Sequence, residues 1–364
     1  MGFLINAQLR GQIEALVKEG ADLVLISSEV TLSPPIPGCR YVSIKISRKV
    51  SLLYDLLALF ELWRLFRKER FSIVHSMTPK AGLLCAIAAW TAKVPVRIHT
   101  FTGQYWVDFK GLPRVFAKGF DWLVGLLNTM CYSDSHGQRA FLIEEKVVRA
   151  DRLKVLGSGS IAGVDLKRFD RTRYRAVSKP ELGVPAKGLT LLFVGRITED
   201  KGVNELLEAV MKLVTMGGGV SLILLGPNEM KQSVSIKRAV GVLKEKLIIP
   251  GYTSEPERYM SVSDILVLPS YREGFGSVII EAAAMSLPTI STNIYGLVDA
   301  VGVDGGIVVP PRDINALMKA IDLLSKNSEL RKSMGALAKA RVLKYFSLAR
   351  MNKLVVNEYI SLIS

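Results

Sequence analysis

Cysteine is scarce in this 364-residue sequence: Cys39, Cys85 and Cys131 are odd in number and widely spaced. That usage fits neither a disulfide framework nor a metal knuckle, and it does fit a reducing cytoplasm. Long apolar runs are missing as well. No stretch reaches the roughly 18 uninterrupted apolar residues of a spanning helix. The first twenty residues lack the basic, apolar, small-residue layout of an export signal, so any membrane contact is expected to be peripheral. No low-complexity tract or internal repeat is present, which excludes solenoid and disordered architectures. Asp-x-Asp occurs nowhere, leaving no obvious site for a bridging divalent ion.

What the sequence has is apolar substance and positive charge. Hydrophobic residues make up 49% and charged residues 22%, an ordered globular composition, and the length favours two domains. The net charge of +15 is uneven: residues 1–179 hold 27 Lys and Arg against 15 Asp and Glu, residues 180–364 hold 21 against 18. A surplus of +12 beside one of +3 points the first half toward an anionic partner, a lipid surface or a nucleic acid. Solubilising surface charge is the plainer alternative.

Short β-branched or Leu-rich runs alternate with helical patterns, the signature of parallel sheets covered on both faces. The first half places strands at 22–27, 41–46, 71–76, 96–101, 129–134 and 154–157, with helices near 51–68, 80–92, 113–127 and 136–146. A polar, proline-bearing stretch at 170–188 reads as the linker. The second half places strands at 189–195, 220–226, 247–251, 264–270, 288–292 and 306–309, and helices near 202–216, 231–245, 255–262, 276–285 and 313–326, with 328–361 helical throughout. One element is missing. In a doubly wound domain the first strand is central, yet Leu4, Leu9, Ile13, Leu16 and Val17 space as a helix with no strand before it. Either "GFLI" (2–5) is a very short strand, or the sequence starts downstream of the natural start, or a central strand has been lost; the second is the expectation carried forward.

Two stretches carry chemistry. "FVGRITEDKG" (193–202) leaves a buried strand at Gly195, which permits close backbone approach, and offers Arg196 as a planar fork and Lys201 as a point charge to a diphosphate. In "DILVLPSYREGFGSVIIEAAA" (264–284) Glu273 sits in a glycine-rich turn. There Gly274, Phe275 and Gly276 offer backbone N–H groups at a helix start suited to phosphate. Glu281 lies eight positions on, among apolar residues, where a carboxylate needs a partner. A ribose diol satisfies one, so Glu281 is expected to hold a ribose and Glu273 the hydroxyls of a sugar; a solvated helix face is the plain alternative. His75 and His99 both end strands, where ligands of parallel sheets collect, and a structural, hydrogen-bonded histidine is the alternative for each.

"GRITEDKG", "LLGP", the stretch 250–292, "GGIVVPPRDINAL" and, in the first half, "VHSMTPKAGLL", "HTFTGQ", "SDSHGQRAFL" and "LGSGSIAGVDLKRFD" resemble retaining glycosyltransferases of family four. The likeness is to the bacterial branch that builds polysaccharide, O-antigen or oligosaccharide repeat units. The resemblance implies the GT-B fold, two Rossmann-like doubly wound domains facing across a cleft, with residues 1–172 binding acceptor, 173–346 binding donor and a C-terminal helix at 347–364 packing back on the first. It implies a nucleotide-sugar donor, commonly uridine-linked, and no cofactor or required metal. Arg196 and Lys201 would neutralise the leaving diphosphate, and Glu273 would contact the donor sugar. Gly195, Gly274, Phe275, Gly276, Glu281, His99 and Thr102 would complete the donor site. The chain departs from the family's pattern twice: its glycine-rich turn after the first strand has no counterpart here, and Thr102 stands where many relatives have histidine.

Two segments suit a membrane. In 50–71, Leu53, Leu56, Leu57, Phe60, Trp63 and Leu65 are accompanied by Arg64, Arg67, Lys68 and Arg70 gathered at the segment's end, an amphipathic pattern for an anionic leaflet or equally for a core-packing helix. Lys110, Arg114 and Lys118 form a second basic patch. An undecaprenyl-diphosphate-linked saccharide would supply lipid and negative charge together, placing the protein in the cytoplasm, peripheral on the inner face of the plasma membrane. The rivals are a truncated or degenerate chain without turnover, a nucleotide-sugar epimerase, and a nucleic-acid binder, for which no stacking platform or helix-turn-helix is visible.

Overall fold

The computed structural model describes residues 8–28, 34–47 and 51–363; the stretch "GFLI", one of the three alternatives for the first strand, lies outside them. Contacts divide the chain into one unit of residues 1–163 with 348–364, and a second of 164–347.

In the first unit, helix α1 (Arg10–Lys18) precedes β1 (Leu23–Ser27) and β2 (Cys39–Ser43), which pair in parallel. Helix α2 (Leu52–Glu69) leads to β3 (Ile73–Ser76), α3 (Pro79–Thr91) to β4 (Val96–Phe101), and α4 (Gly111–Leu127) to β5 (Met130–Ser133). Helix α5 (His136–Glu144) then leads to β6 (Leu153–Lys154). Strands β3 to β6 form a parallel sheet in chain order. Among the described residues no ladder joins it to β1–β2. Helix α3 starts on Pro79, whose missing N–H costs nothing there. It packs between α2 and α4, and Ala81, Gly82, Ala86, Ala88 and Ala89 let it sit close on both sides.

The second unit holds one six-stranded parallel sheet in the order β12-β11-β10-β7-β8-β9. Its strands are β7 (Leu189–Val194), β8 (Val220–Leu225), β9 (Leu247–Gly251), β10 (Ile265–Leu268), β11 (Thr289–Thr292) and β12 (Gly306–Val309). Strands β7, β8 and β10 are near-continuous Leu, Ile and Val, buried on both faces as a doubly covered parallel sheet requires. The crossovers are α6 (Val203–Thr215), α7 (Val234–Leu243), α8 (Pro256–Val262), α9 (Ser277–Ala284) and α10 (Leu297–Val301), and α11 (Ile314–Lys326) follows β12. Chain order reverses direction between β7 and β10, the switch point where such sheets bind ligands at the strands' carboxyl ends.

Three expectations need correction. Segment 170–188 is not a free linker but part of the second unit. Arg171 donates to the carbonyls of Ser261 and Ser263 at 3.0 and 3.1 Å, Lys179 reaches Asp264 at 3.5 Å, and Val184 is buried. The units therefore hold 23 Lys and Arg against 14 Asp and Glu (+9), and 25 against 19 (+6), so the charge is less polarised than the sequence halves imply. Finally, 328–361 is two helices, α12 (Ser328–Tyr345) and α13 (Leu348–Ile363). The break falls where Phe346 turns wholly inward, its ring 5.4 Å from Phe275 with the Arg341 guanidinium 4.8 Å above it. Phe346→Ala is expected to cost the second unit about 3–5 kcal/mol, the usual loss for a buried aromatic, measured as a lowered midpoint in denaturant unfolding. Helix α13 belongs to the first unit: it packs on α1, Tyr359 bonds the His75 ring, and Glu358 accepts from Tyr132 at 2.6 Å and Lys154 at 3.0 Å.

Candidate donor site in the second unit

The turns that leave β7 and β10 meet at the switch point. Past β7 the chain stays extended beside the turn after β8: Gly195 N–H donates to Leu225 O at 2.9 Å and Ile197 N–H to Pro227 O at 2.8 Å. It then closes on Gly202, whose φ of +69° belongs to the left-handed region and whose Cα faces Pro269 so closely that an added Cβ would lie 2.1 Å from that carbonyl oxygen. Gly202 thus lets the turn after β7 lie against the turn after β10. The result is a direct contact between two residues 72 positions apart: Lys201 Nζ stands 2.5 Å from Glu273 Oε1, with the two side chains only 17% and 19% exposed. Ser270 Oγ donates to the same carboxylate oxygen at 3.1 Å.

Arg196 is half-exposed, 3.4 Å from Glu229 and 4.0 Å from Asp200. Asp200 is also 3.3 Å from Arg272; burial raises its carboxyl, but a hydrogen bond from Thr198 and the charges of Lys201 and Arg272 outweigh it and hold the carboxyl below the usual range. Gly276 caps α9 with a left-handed φ of 76°. Phe275 is core, 2% exposed, so its ring is not offered to a ligand. Gly274 is buried under Gly296.

Glu281 has neighbours that the sequence did not disclose. Burial pushes its carboxyl up to about 7; the Arg168 charge opposes the rise and that of Glu257 adds to it. Arg168 donates to Glu257 Oε2 at 2.8 Å and to the Ser254 carbonyl, while Glu257 is 5% exposed. Two acids thus share one arginine. Arg168 stands in "LKRFD", a stretch that shares in the family resemblance but that no spacing ties to Glu281, and Glu257 is 89 residues away; Ser270, Asp200 and Glu229 escaped because only the fold brings them to the site.

The first unit places its candidates differently. His99 is buried, its Nδ1 2.9 Å from Ser76 Oγ, its ring 4.6 Å edge-on from Phe101 and pressed against Gly82; burial holds it down to about 3. These contacts match the structural alternative. His75, held down to about 4 by burial, lies between Tyr359 and Thr100, 2.8 Å from the latter's hydroxyl. Thr102 donates to the Met77 carbonyl at 3.3 Å. Segment 50–71 combines both readings: Ala58, Leu62 and Phe66 are buried in a core with Leu84 and Ala88, against which Leu65 packs, whereas Leu53, Leu56, Leu57, Phe60 and Trp63 face outward. The second basic patch is corrected, because Arg114 and Lys118 close on Glu145 at 2.7 and 2.6 Å.

Comparison with known proteins covers both units. Residues 175–341 match the family of glycosyl transferases group 1, and residues 5–159 the glycosyl transferase 4-like domain. The capsular polysaccharide biosynthesis glycosyltransferase CapM of Staphylococcus aureus is 31% identical over 93% of this chain and 90% of its own. The UDP-Gal:alpha-D-GlcNAc-diphosphoundecaprenol alpha-1,3-galactosyltransferase of Escherichia coli is 27% identical over 87% and 85%. Among solved structures, a Rickettsia africae glycosyltransferase superposes with a TM-score of 0.78 at 22% identity over 98% of this chain and 94% of that one. Anabaena HepE, solved with UDP, gives 0.77 at 17% identity over 97% and 96%. The two parallel-sheet units are those of the GT-B fold, and with this similarity running the length of the sequence, the chain belongs to the group 1 glycosyltransferases with a glycosyl transferase 4-like N-terminal domain.

Proposed function

We infer that the chain is a retaining glycosyltransferase that moves a hexosyl or N-acetylhexosaminyl group from a uridine-linked nucleotide-sugar to an undecaprenyl-diphosphate-linked saccharide. Its work is cell-surface polysaccharide biosynthesis, at the inner face of the plasma membrane. The observation that carries this reading is the Lys201–Glu273 contact of 2.5 Å at the switch point of the second sheet. A cation, an acid and the start of α9 converge where a doubly wound sheet takes its ligand. In this reading Lys201 and Arg196 neutralise the departing diphosphate, the main electrostatic term of the reaction. The backbone of Gly195 and of Gly274 to Gly276 lies along the phosphates, Glu273 takes hydroxyls of the transferred sugar, and Glu281 takes the ribose diol. No metal is needed, because the cations do its work; the absence of Asp-x-Asp from the sequence supports this. The Escherichia coli relative, whose name gives a UDP-linked donor and a diphosphoundecaprenol acceptor, supports the donor and acceptor classes.

The test is transfer itself. Purified full-length protein is incubated, with chelator present, with a panel of labelled uridine-diphosphate sugars and a lipid-linked saccharide. One sugar is expected to be transferred, and proton NMR of the product is expected to show the donor's anomeric configuration kept. Binding of nucleotide without transfer to any acceptor would favour a chain that has lost turnover; an inverted anomeric centre would remove the retaining mechanism.

A further inference from the structure

Helix α4 carries a glycine where a helix has least use for one. Gly119 is its middle residue, a position at which glycine destabilises a helix relative to alanine. Nothing inside the chain calls for it: a Cβ added there would meet no atom within 4 Å. The side chains around it are arranged symmetrically. Counted from Gly119, Phe116 and Trp122 stand three positions away on either side, Val115 and Leu123 four, and Leu112 and Leu126 seven. Offsets of three, four and seven share one helix face. Apart from the half-buried Leu123, these side chains are between 50% and 71% exposed. The face carries no charge, because Arg114 and Lys118 turn back onto Glu145 at 2.7 and 2.6 Å, and the buried Asp121 accepts from Trp106 Nε1 at 2.7 Å.

A face that reads the same in both directions from one residue suits an antiparallel twofold, in which each offset on one helix meets the opposite offset on the other. We propose that the chain forms a homodimer in which α4 crosses its own symmetry mate at Gly119. A crossing about 20° from antiparallel sets Leu112 on Leu126 of the second copy, Phe116 on its Trp122 and Val115 on its Leu123. The missing Cβ lets the two backbones close at the centre.

Area and charge favour this occupant. With the exposed Phe109 and Phe120 at its flanks, the face offers apolar surface on the order of the ~800 Å² that each partner brings to a specific interface, more than soluble monomers usually leave open. At its C-terminal end lies a cavity of about 270 Å³, walled by Trp122 and Leu126 and rimmed by Lys146, Arg149 and Arg152; the crossing brings Leu112 of the second copy to its mouth. The twofold keeps the two basic rims at opposite ends of the ridge. Its length of about 21 Å, at 1.5 Å per residue, exceeds the Debye length of about 8 Å at physiological salt. Each rim meets the segment of the other copy that holds Asp108 and Lys110, whose charges cancel. Helix α2 fails the same symmetry: about Phe60, Leu56 and Leu53 are mirrored by Arg64 and Arg67, so a twofold there would press leucines on cations. The dimer is independent of the donor and acceptor assigned above.

Sedimentation velocity of the full chain, from nanomolar to high micromolar in detergent-free buffer, tests the proposal. The sedimenting species is expected to pass from one chain of 40.0 kDa to two, and a chain that stays single throughout overturns it. Gly119→Leu is the discriminating variant, since it adds apolar surface and a better helix former but fills the crossing. Its dissociation constant is expected to rise about tenfold or more, as for overpacking of a close contact. Its melting temperature, taken at a dilution where both proteins are monomers, is expected to hold or rise. An unchanged dissociation constant overturns the crossing. So does a Gly119→Leu chain that binds phosphatidylcholine–phosphatidylglycerol vesicles more tightly than a parent that never dimerises, which marks the face as a lipid surface. For the register, Leu112→Cys mixed with Leu126→Cys is expected to give on oxidation a cross-linked pair that neither variant nor the parent gives alone. Cross-linking of Leu112→Cys to itself means parallel helices and overturns the proposal.

Discussion

Lys201→Ala is expected to lower kcat for sugar transfer about 10²–10³-fold, the range seen when one preorganised donor to a developing negative charge is removed. The contact with Glu273 makes the loss larger than that of a solvated lysine. Both side chains are less than one-fifth exposed, so removing the ammonium leaves the Glu273 carboxylate beside the departing diphosphate with only the Ser270 hydroxyl to hold it. Glu273→Gln keeps the shape of the turn and is expected to slow transfer while leaving nucleotide affinity nearly unchanged. Because the two residues form one unit, Lys201→Ala with Glu273→Gln is expected to lose less than the product of the single effects, a coupling typical of residues in contact. Steady-state kinetics on the three variants, with nucleotide affinity measured separately by calorimetry, checks this. Wild-type kcat in Lys201→Ala would remove the phosphate clamp from the site.

Much of the second unit was legible because its signals are local. Buried runs such as "LTLLFV" and "ILVL" have no reading other than doubly covered strands, and the glycines after them mark turns that the backbone enters with positive φ at Gly195 and Gly276. The boundary of the unit was not legible, since the polarity of 170–188 looks like a linker until Arg171 is seen to fasten on carbonyls some ninety residues away. The environment of Glu281 escaped for the same reason: Arg168 and Glu257 carry no spacing that announces them. In α4 the failure was of another kind. Composition told that Arg114 and Lys118 were cations, but not that one carboxylate, Glu145, turns both inward and leaves an apolar face outside.

Nucleotide affinity is expected to rise about tenfold from pH 6 to pH 8, and Glu281→Gln is expected to flatten that rise. The diol of a ribose donates hydrogen bonds, which a carboxylate accepts better than a carboxylic acid; the ligand therefore favours the ionised form. Burial holds the Glu281 carboxyl up near 7, with Glu257 adding its charge and Arg168 opposing it. With a midpoint of 7, about one-tenth of the groups are ionised at pH 6 and nine-tenths at pH 8, which gives the tenfold factor by linkage. The sign on stability is opposite. A carboxyl raised above its unfolded value of 4.5 contributes stability that is complete below pH 4.5 and is lost as the pH rises toward 7. The ligand-free protein should accordingly lose melting temperature across that window relative to Glu281→Gln, and nucleotide should restore it. Calorimetry in two buffers of different ionisation enthalpy at pH 7 is expected to register proton release from Glu281 on binding. Taking the ratio of wild-type to Glu281→Gln affinity at each pH cancels the titration of the nucleotide's own phosphates. Glu257→Gln removes the charge that adds to the rise and should move the midpoint of that ratio downward, whereas Arg168→Gln should move it upward. A ratio independent of pH would mean that Glu281 does not meet the ribose.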